Sequence, residues 1–423
     1  MNLLALVGTM ITLVSVLGYV NHRFIGLPDT TGIAAIGLVA SLLIGTLGQG
    51  TPVMDAAQAL FAGIDFADLL LHGILGLLLF AGALHASVAQ IHQERWLILI
   101  LSTASVLMST CLAGLGFWAV TWLIGHPQPL LYCLIFGALI SPTDPIAVLG
   151  ILRRVGVPPS LEARITGESL FNDGTGVVIF LTLLSLAMGG PVPSATDVAL
   201  LLVKEIGGGV LFGLAAGMAG VFLIRTIDSY AIETLITLAL ATGGYAAAEA
   251  LGVSAPIAVV LMGLIVGMRG RNDIMSAHTQ TRLFGFWEVV DELLNLMLFG
   301  LIGLEVITLE PGPREFIIAA LAVPVVLIAR YFSVAVPILA TPRLRHYGGR
   351  VALVMTWGGL RGGVSIALAL SLSGRLESEL LIAGTYGVVI FSILIQALTL
   401  KPVIRRALPA AVLTGPPEPP GNG

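Results

Sequence analysis

Apolar runs long enough to cross a bilayer follow one another along almost the whole chain, separated by short polar stretches. A spanning helix needs about 20 mostly apolar residues. Thirteen runs qualify, at about 3–21, 31–48, 66–90, 96–124, 129–152, 162–188, 197–224, 230–250, 255–268, 287–308, 316–340, 350–372 and 379–400. The loops between them are short, and the only low-complexity stretch is the tail "GPPEPPGNG". The pattern predicts an all-α polytopic membrane protein with about 13 transmembrane helices. It predicts one integral membrane domain over residues 1–408 and a short disordered cytoplasmic tail over 409–423.

Composition agrees. Of 423 residues, 57% are hydrophobic and only 10% charged, where a soluble domain carries about 25% charged residues. Residues 3–21 lack a preceding basic region and a following small-residue cleavage motif, so they read as a retained span. The Lys and Arg residues test the count, because cytoplasmic loops should carry the excess. Fifteen of the twenty fall on one side, Arg314 and Arg375 fall opposite, and Lys204, Arg330 and Arg361 lie inside spans. The N-terminus is therefore expected outside and the C-terminus in the cytoplasm. Cys111 and Cys133 form no disulfide or metal pattern and read as small packing residues.

An ionisable side chain at mid-membrane costs ~2.5–3.5 kcal/mol on insertion scales, so those that persist face a cavity or a partner. They cluster in three spans. Span five reads "LIFGALISPTDPIAVLGIL", in which Pro142 and Pro145 bracket Thr143 and Asp144. Each proline lacks an N–H and clashes with the carbonyl four residues back, which frees the carbonyls of Ala138 and Ser141. The helix should break there, and irregular backbone at that depth survives only when buried in protein or lining a wet cavity. Freed carbonyls beside Thr143 and Asp144 suit a small hard cation; a simple proline kink with locally satisfied side chains is the alternative.

Span six contains "GESLFNDGTG". At 100° per residue, Ser169, Asn172, Asp173 and Gly176 share one face, and Glu168 points about 140° away from Asp173. Two roles follow: Asp173 with Ser169 addresses the site, and Glu168 seeks a cation in another span. Arg330 and Arg361 are the candidates at sufficient depth; the other reading is that both acids only lock the bundle through ion pairs. Span twelve contains "MTWGGLRGGVSIALAL", with Gly358, Gly359, Gly362 and Gly363 flanking Arg361. This weakens the helix and permits close backbone approach, or forms a small-residue packing seam.

Spans five and twelve differ by seven, as do six and thirteen. Seven is odd, so a repeat of spans 1–6 in 8–13 is inverted across the membrane. Interrupted helices at matching positions of inverted halves point to a secondary transporter site near the midplane. Two inverted six-helix repeats with discontinuous, crossing spans 5 and 12 are therefore expected, from position alone.

Together "SPTDPIAV", "GESLFNDGTGVV", "ARYFSV" and "TWGGLRGGVSIALAL" resemble the monovalent cation/proton antiporter superfamily, in particular the sodium/proton exchangers of the NhaP and eukaryotic exchanger type. The resemblance covers nearly the whole chain. It implies a core of spans 4–6 and 11–13, a dimerisation scaffold of spans 1–3 and 7–10, and a homodimer. It places sodium on Asp173, Ser169 and the backbone of Thr143, with Asp144 and Asn172 in support. It pairs Glu168 with Arg330 and puts Arg361 at the crossover, where it opposes exposed carbonyl ends. The Asn-Asp pair at 172–173 resembles the electroneutral branch, whereas electrogenic relatives look like Asp-Asp. One departure stands out: where some members carry a glutamate in a "LLFEGAL"-like stretch, this chain reads "LLFAGALH", with Ala81.

The expected function is secondary antiport of Na+, or Li+, against H+ in the plasma (inner) membrane, serving sodium transport and pH homeostasis. Asp173 takes either a proton or the cation, and access changes sides only when one is bound, because an uncompensated carboxylate is expensive to move through an apolar gate. Exchange is then one for one. The expected partners are monovalent cations, protons and the lipid bilayer, with no cofactor and no nucleic acid. The alternatives are a K+/H+ antiporter of the same fold, a channel or ion sensor, and an intramembrane enzyme using Asp144 and Asp173. Against an enzyme, the chain has no nucleophile elbow, zinc motif or nucleotide loop. His85 is expected either to tune the pH response or to serve as a structural histidine. Glu288, Asp291 and Glu292 read as a cation-attracting entrance or as acids at a solvated helix N-terminus.

Overall fold

The computed structural model describes residues 3–47, 66–144, 146–189, 203–270, 274–306, 312–340, 348–373 and 378–408, together with Thr51, Met54, Leu200, Leu201 and Leu376. The expected tail at 409–423 lies outside the described residues, as does Pro145.

Every regular element described is helical. In chain order the principal ones are α1 (Leu3–Val20), α2 (Asp29–Leu47), α3 (Phe66–His85), α4 (Arg95–Leu123), α5 (Leu130–Ile140), α6 (Ile146–Val155), α7 (Pro159–Ala187) and α8 (Val203–Arg225). They continue with α9 (Tyr230–Ala250), α10 (Ala255–Arg269), α11 (Ala277–Glu305), α12 (Pro313–Ala340), α13 (Gly348–Trp357), α14 (Gly363–Leu370) and α15 (Glu379–Ala407). Among the described residues eight of these are long and apolar enough to cross a membrane, and α5 and α10 are shorter apolar helices. Both expected breaks are present. Span five is split into α5 and α6, and span twelve into α13 and α14, with Gly362 in extended backbone.

One boundary differs from expectation. The apolar pattern starts span ten near 287, but α11 begins at Ala277 and is capped by Ser276, whose hydroxyl accepts from the Thr279 N–H. Glu288, Asp291 and Glu292 therefore sit well inside the helix, away from its positive end, which removes the macrodipole account of these acids.

The chain divides into two compact units. The first comprises residues 1–85, 200–319 and 362–386. Here α2 meets α11 closely enough that a Cβ on Gly303 would lie 2.5 Å from the Ala34 carbonyl oxygen, and Ser41 donates to the Gly303 and Leu304 carbonyls at 3.0 and 2.8 Å. Small residues and interhelical hydrogen bonds are what hold helices together where lipid supplies no hydrophobic drive. Trp287 is fully buried against Phe80 and donates to the Thr237 hydroxyl at 2.9 Å. His85 bonds back to the Ala81 carbonyl at 2.8 Å and packs edge-on against Phe284.

The second unit comprises residues 86–199, 320–361 and 387–423. Its apolar core draws on Leu97 and Leu101 of α4, Val148 and Leu152 of α6, Leu161 and Ile165 of α7, Val334 of α12, Val354 of α13 and Leu400 of α15. Gly137 of α5 packs so tightly on α4 that a Cβ would fall 2.1 Å from the Thr110 carbonyl oxygen. Trp96 and Trp122, exposed at opposite ends of α4, suit the two membrane interfaces. All the candidate site residues belong to this unit.

Candidate functional site

The site forms where the break between α5 and α6 lies against the middle of α7. Helix α7 can approach because position 176 is glycine: a Cβ there would come within 2.4 Å of Pro142 Cγ. That closeness brings the polar face of α7 onto the residues left outside helical geometry. Thr143, Ser169, Asn172 and Asp173 are all buried.

Asn172 clamps the broken segment. Its amide nitrogen donates to Thr143 Oγ1 at 2.7 Å, and its amide oxygen accepts from the Thr143 N–H at 3.4 Å. Thr143 Oγ1 lies 2.9 Å from Ser169 Oγ. The three polar side chains thus form a chain of hydrogen bonds across the two elements. Asp173, one residue on, is 6% exposed and, among the described residues, makes no hydrogen bond or ion pair. Charges of opposite sign act on it from Asp144 and Arg361. A buried carboxylate with no fixed partner is costly as an anion, so it demands a proton or a cation.

Glu168 has the opposite environment. It is 1% exposed, and its Oε1 accepts from Nη1 of Arg330 on α12 at 2.5 Å. Helical geometry alone left Arg330 and Arg361 open as partners; packing selects Arg330. Glycine at 359 makes room for the Arg330 guanidinium, since a Cβ there would lie 2.7 Å from its Nε.

Arg361 serves the breaks. Its Nη1 donates to the carbonyls of Ser141 and Pro142, the latter at 2.7 Å. The Ser141 carbonyl, expected to be free for a cation, is therefore occupied. The Ala138 carbonyl accepts from the Ser141 N–H at 3.3 Å, so it too has a partner. Neither carbonyl is therefore bare: a buried guanidinium and the next turn of backbone each supply a donor, and each oxygen keeps a second lone pair. Asp144 is half-buried, and its N–H donates to the Leu360 carbonyl at 2.8 Å, joining the two breaks through main chain.

Sequence reasoning missed two residues on α15. Ser392 Oγ accepts from the Arg361 N–H at 2.9 Å and donates to Gln396 Oε1 at 2.8 Å. The Gln396 amide donates in turn to the Trp357 carbonyl at 3.3 Å, at the C-terminal end of α13. Residues Ser392–Gln396 form a single wide π-helical turn, a feature frequent at functional sites. Both residues are buried, and two polar side chains four apart in an apolar span were the available signal. A second ion pair, also missed, ties Arg164 on α7 to Glu94 through two bonds of 2.9 and 3.0 Å.

Known proteins share this architecture. Residues 10–406 match the family model described as sodium/hydrogen exchanger, transmembrane. The chain is 45% identical over 412 residues to the Na(+)/H(+) antiporter NhaP of Pseudomonas aeruginosa, covering 96% of this chain and 97% of that one. It is 32% identical over 388 residues to the Na(+)/H(+) antiporter NhaH of Halobacillus dabanensis, covering 90% and 92%. The fold matches the sodium proton antiporter MjNhaP1 from Methanocaldococcus jannaschii with a TM-score of 0.72 at 19% identity, over 96% of this chain and 99% of that one.

Proposed function

This chain belongs to the transmembrane sodium/hydrogen exchanger family, and we propose that it is a secondary antiporter exchanging Na+, or Li+, for H+ with Asp173 as the shared site. It is a multi-pass membrane protein of a transporter family, not of an enzyme family. Relatives named as Na(+)/H(+) antiporters do not favour the potassium alternative.

One observation carries the assignment of Asp173. Of the two neighbouring buried acids on α7, Glu168 has a fixed arginine and Asp173 has no hydrogen bond or ion pair among the described residues. A sodium ion would take oxygen from Asp173, Ser169 and the Thr143 backbone, with Asp144 and Asn172 in support. A proton would neutralise the same carboxylate. Either guest removes the charge that opposes movement through an apolar gate, so exchange is electroneutral and one for one.

We assign the moving core to spans 4–6 and 11–13 and the scaffold and homodimer contact to spans 1–3 and 7–10. The protein sits in the plasma membrane with its N-terminus outside and its C-terminus in the cytoplasm, an orientation supported by the lopsided distribution of Lys and Arg. The direct test is sodium-driven proton flux in proteoliposomes. Asp173→Asn should abolish it while leaving the protein folded; full flux from the variant would overturn the assignment.

A further inference from the structure

Arg330 and Arg361 line the same small cavity in the second unit, together with Thr356, Gly359 and Gln396. Its volume is about 10 Å³, close to the space needed by one water molecule. Both guanidinium groups are buried, at 4% and 2% exposure. Each keeps one nitrogen whose N–H has no protein acceptor among the described residues: Nε of Arg330 and Nη2 of Arg361. Buried donors are seldom left so, and each orphan calls for a partner.

The lining supplies acceptors as well. Thr356 Oγ1 donates its hydrogen to the Ala352 carbonyl, which leaves its own lone pairs available, and Gln396 Oε1 has a second lone pair beyond the one used by Ser392. We propose that the cavity is a binding site for one ordered water, which accepts from Arg330 and Arg361 and donates toward Thr356 and Gln396. Two arginines would also suit an anion, but charge decides against it. With Asp173 neutralised by a proton or a cation, the carboxylates of Glu168 and Asp144 still balance the two guanidinium groups. No positive surplus remains for an anion to neutralise, and a further buried negative charge is penalised. A neutral ligand that both accepts and donates fits this inventory.

The water links two parts of the core. On one side is the Glu168 and Arg330 pair; on the other is Arg361, which caps the carbonyls of the α5–α6 break. Movement of either arginine must then stretch or break the bridge. The bridge is independent of which ion is transported.

A map of the full-length protein fine enough to show other buried waters tests it, paired with anomalous scattering from crystals grown in bromide. The expected result is a peak within hydrogen-bond distance of Arg330 Nε and Arg361 Nη2 with no bromide signal. No peak there, or an anomalous peak marking an anion, overturns the proposal. Gly359→Ala supplies a second readout, because its methyl would lie 2.7 Å from Arg330 Nε, where the water is expected. Loss of the peak in that variant supports the site, and a peak unmoved by the methyl overturns it.

Discussion

Asn172 holds Thr143 at two points, donating to its hydroxyl at 2.7 Å and accepting from its N–H at 3.4 Å. A side-chain amide has one donor end and one acceptor end, so it can complete a peptide N–H that Pro142 leaves outside a regular helix and orient the hydroxyl beside it. The broken backbone keeps its place next to Asp173 by this contact rather than by helical hydrogen bonds.

Asn172→Ala should therefore weaken both folding and ion binding. Leaving the Thr143 N–H unpaired in a buried setting costs ~1–3 kcal/mol, read as a lower thermal midpoint, and the loosened site should show a raised apparent KM for sodium. Asn172→Asp separates the clamp from the charge. It keeps one acceptor for the Thr143 N–H but places a second carboxylate beside Asp173, so transport should become charge-moving, with currents on a solid-supported membrane. A variant that transports with no current would contradict the electroneutral account based on the Asn-Asp pair.

The ion pair of Glu168 with Arg330 makes a different prediction, because both partners are buried. Removing one alone strands the other charge and should cost ~3–5 kcal/mol, so Glu168→Ala and Arg330→Ala should each express poorly or melt early. The exchanged pair, Glu168→Arg with Arg330→Glu, should recover folding in a detergent melting assay, though not necessarily the rate. Failure of the double variant to improve on either single one would leave the pair without a structural role.

Much of this site was legible in the sequence for one reason: polar residues in apolar spans carry a cost that must be met locally. That cost singled out the break at Pro142, the face shared by Ser169, Asn172 and Asp173, and the separate direction of Glu168. The partner of Glu168 was not legible from spacing, since choosing Arg330 over Arg361 depends on the tertiary packing that brings Arg330 of α12 to Glu168. Nor was the fate of the carbonyls at the break. Proline chemistry frees the Ser141 carbonyl from its own helix, but only the fold brings Arg361 to it. Ser392 and Gln396 were overlooked because uncharged polar residues raise a weaker signal than prolines, glycines or acids. The start of α11 at Ala277 was hidden because its first turns are too polar to count toward a membrane span.

Gly176 should tolerate no side chain. A Cβ there meets Pro142 Cγ at 2.4 Å, and overpacking of this kind typically costs ~1–3 kcal/mol. Because the collision pushes α7 away from the break, Gly176→Ala should also slow exchange, by separating Asp173 from Thr143. Gly150 is the control: it lies in α6, and a methyl added there would meet nothing within 4 Å. Gly150→Ala should be neutral or stabilising by ~0.5–1 kcal/mol from helix propensity. Equal behaviour of the two variants in melting and flux assays would refute the close-approach argument.

Competition at the proposed shared carboxylate would fix the form of the pH dependence. With Asp173 as the proposed shared site, a proton would hold it at low pH against sodium; at high pH sodium would hold it and protons for the return step would be scarce. Exchange should therefore fall at both extremes. The informative part is the acidic limb. If both ions use the same oxygen atoms, raising sodium must move that limb to lower pH, since each increase in cation concentration requires a matching increase in proton concentration to hold the site. Two separate sites would lower or raise the whole profile without moving its acidic edge. Flux measured in proteoliposomes over a grid of pH and sodium concentration distinguishes these outcomes, and an acidic edge fixed against sodium would exclude Asp173 as a shared site.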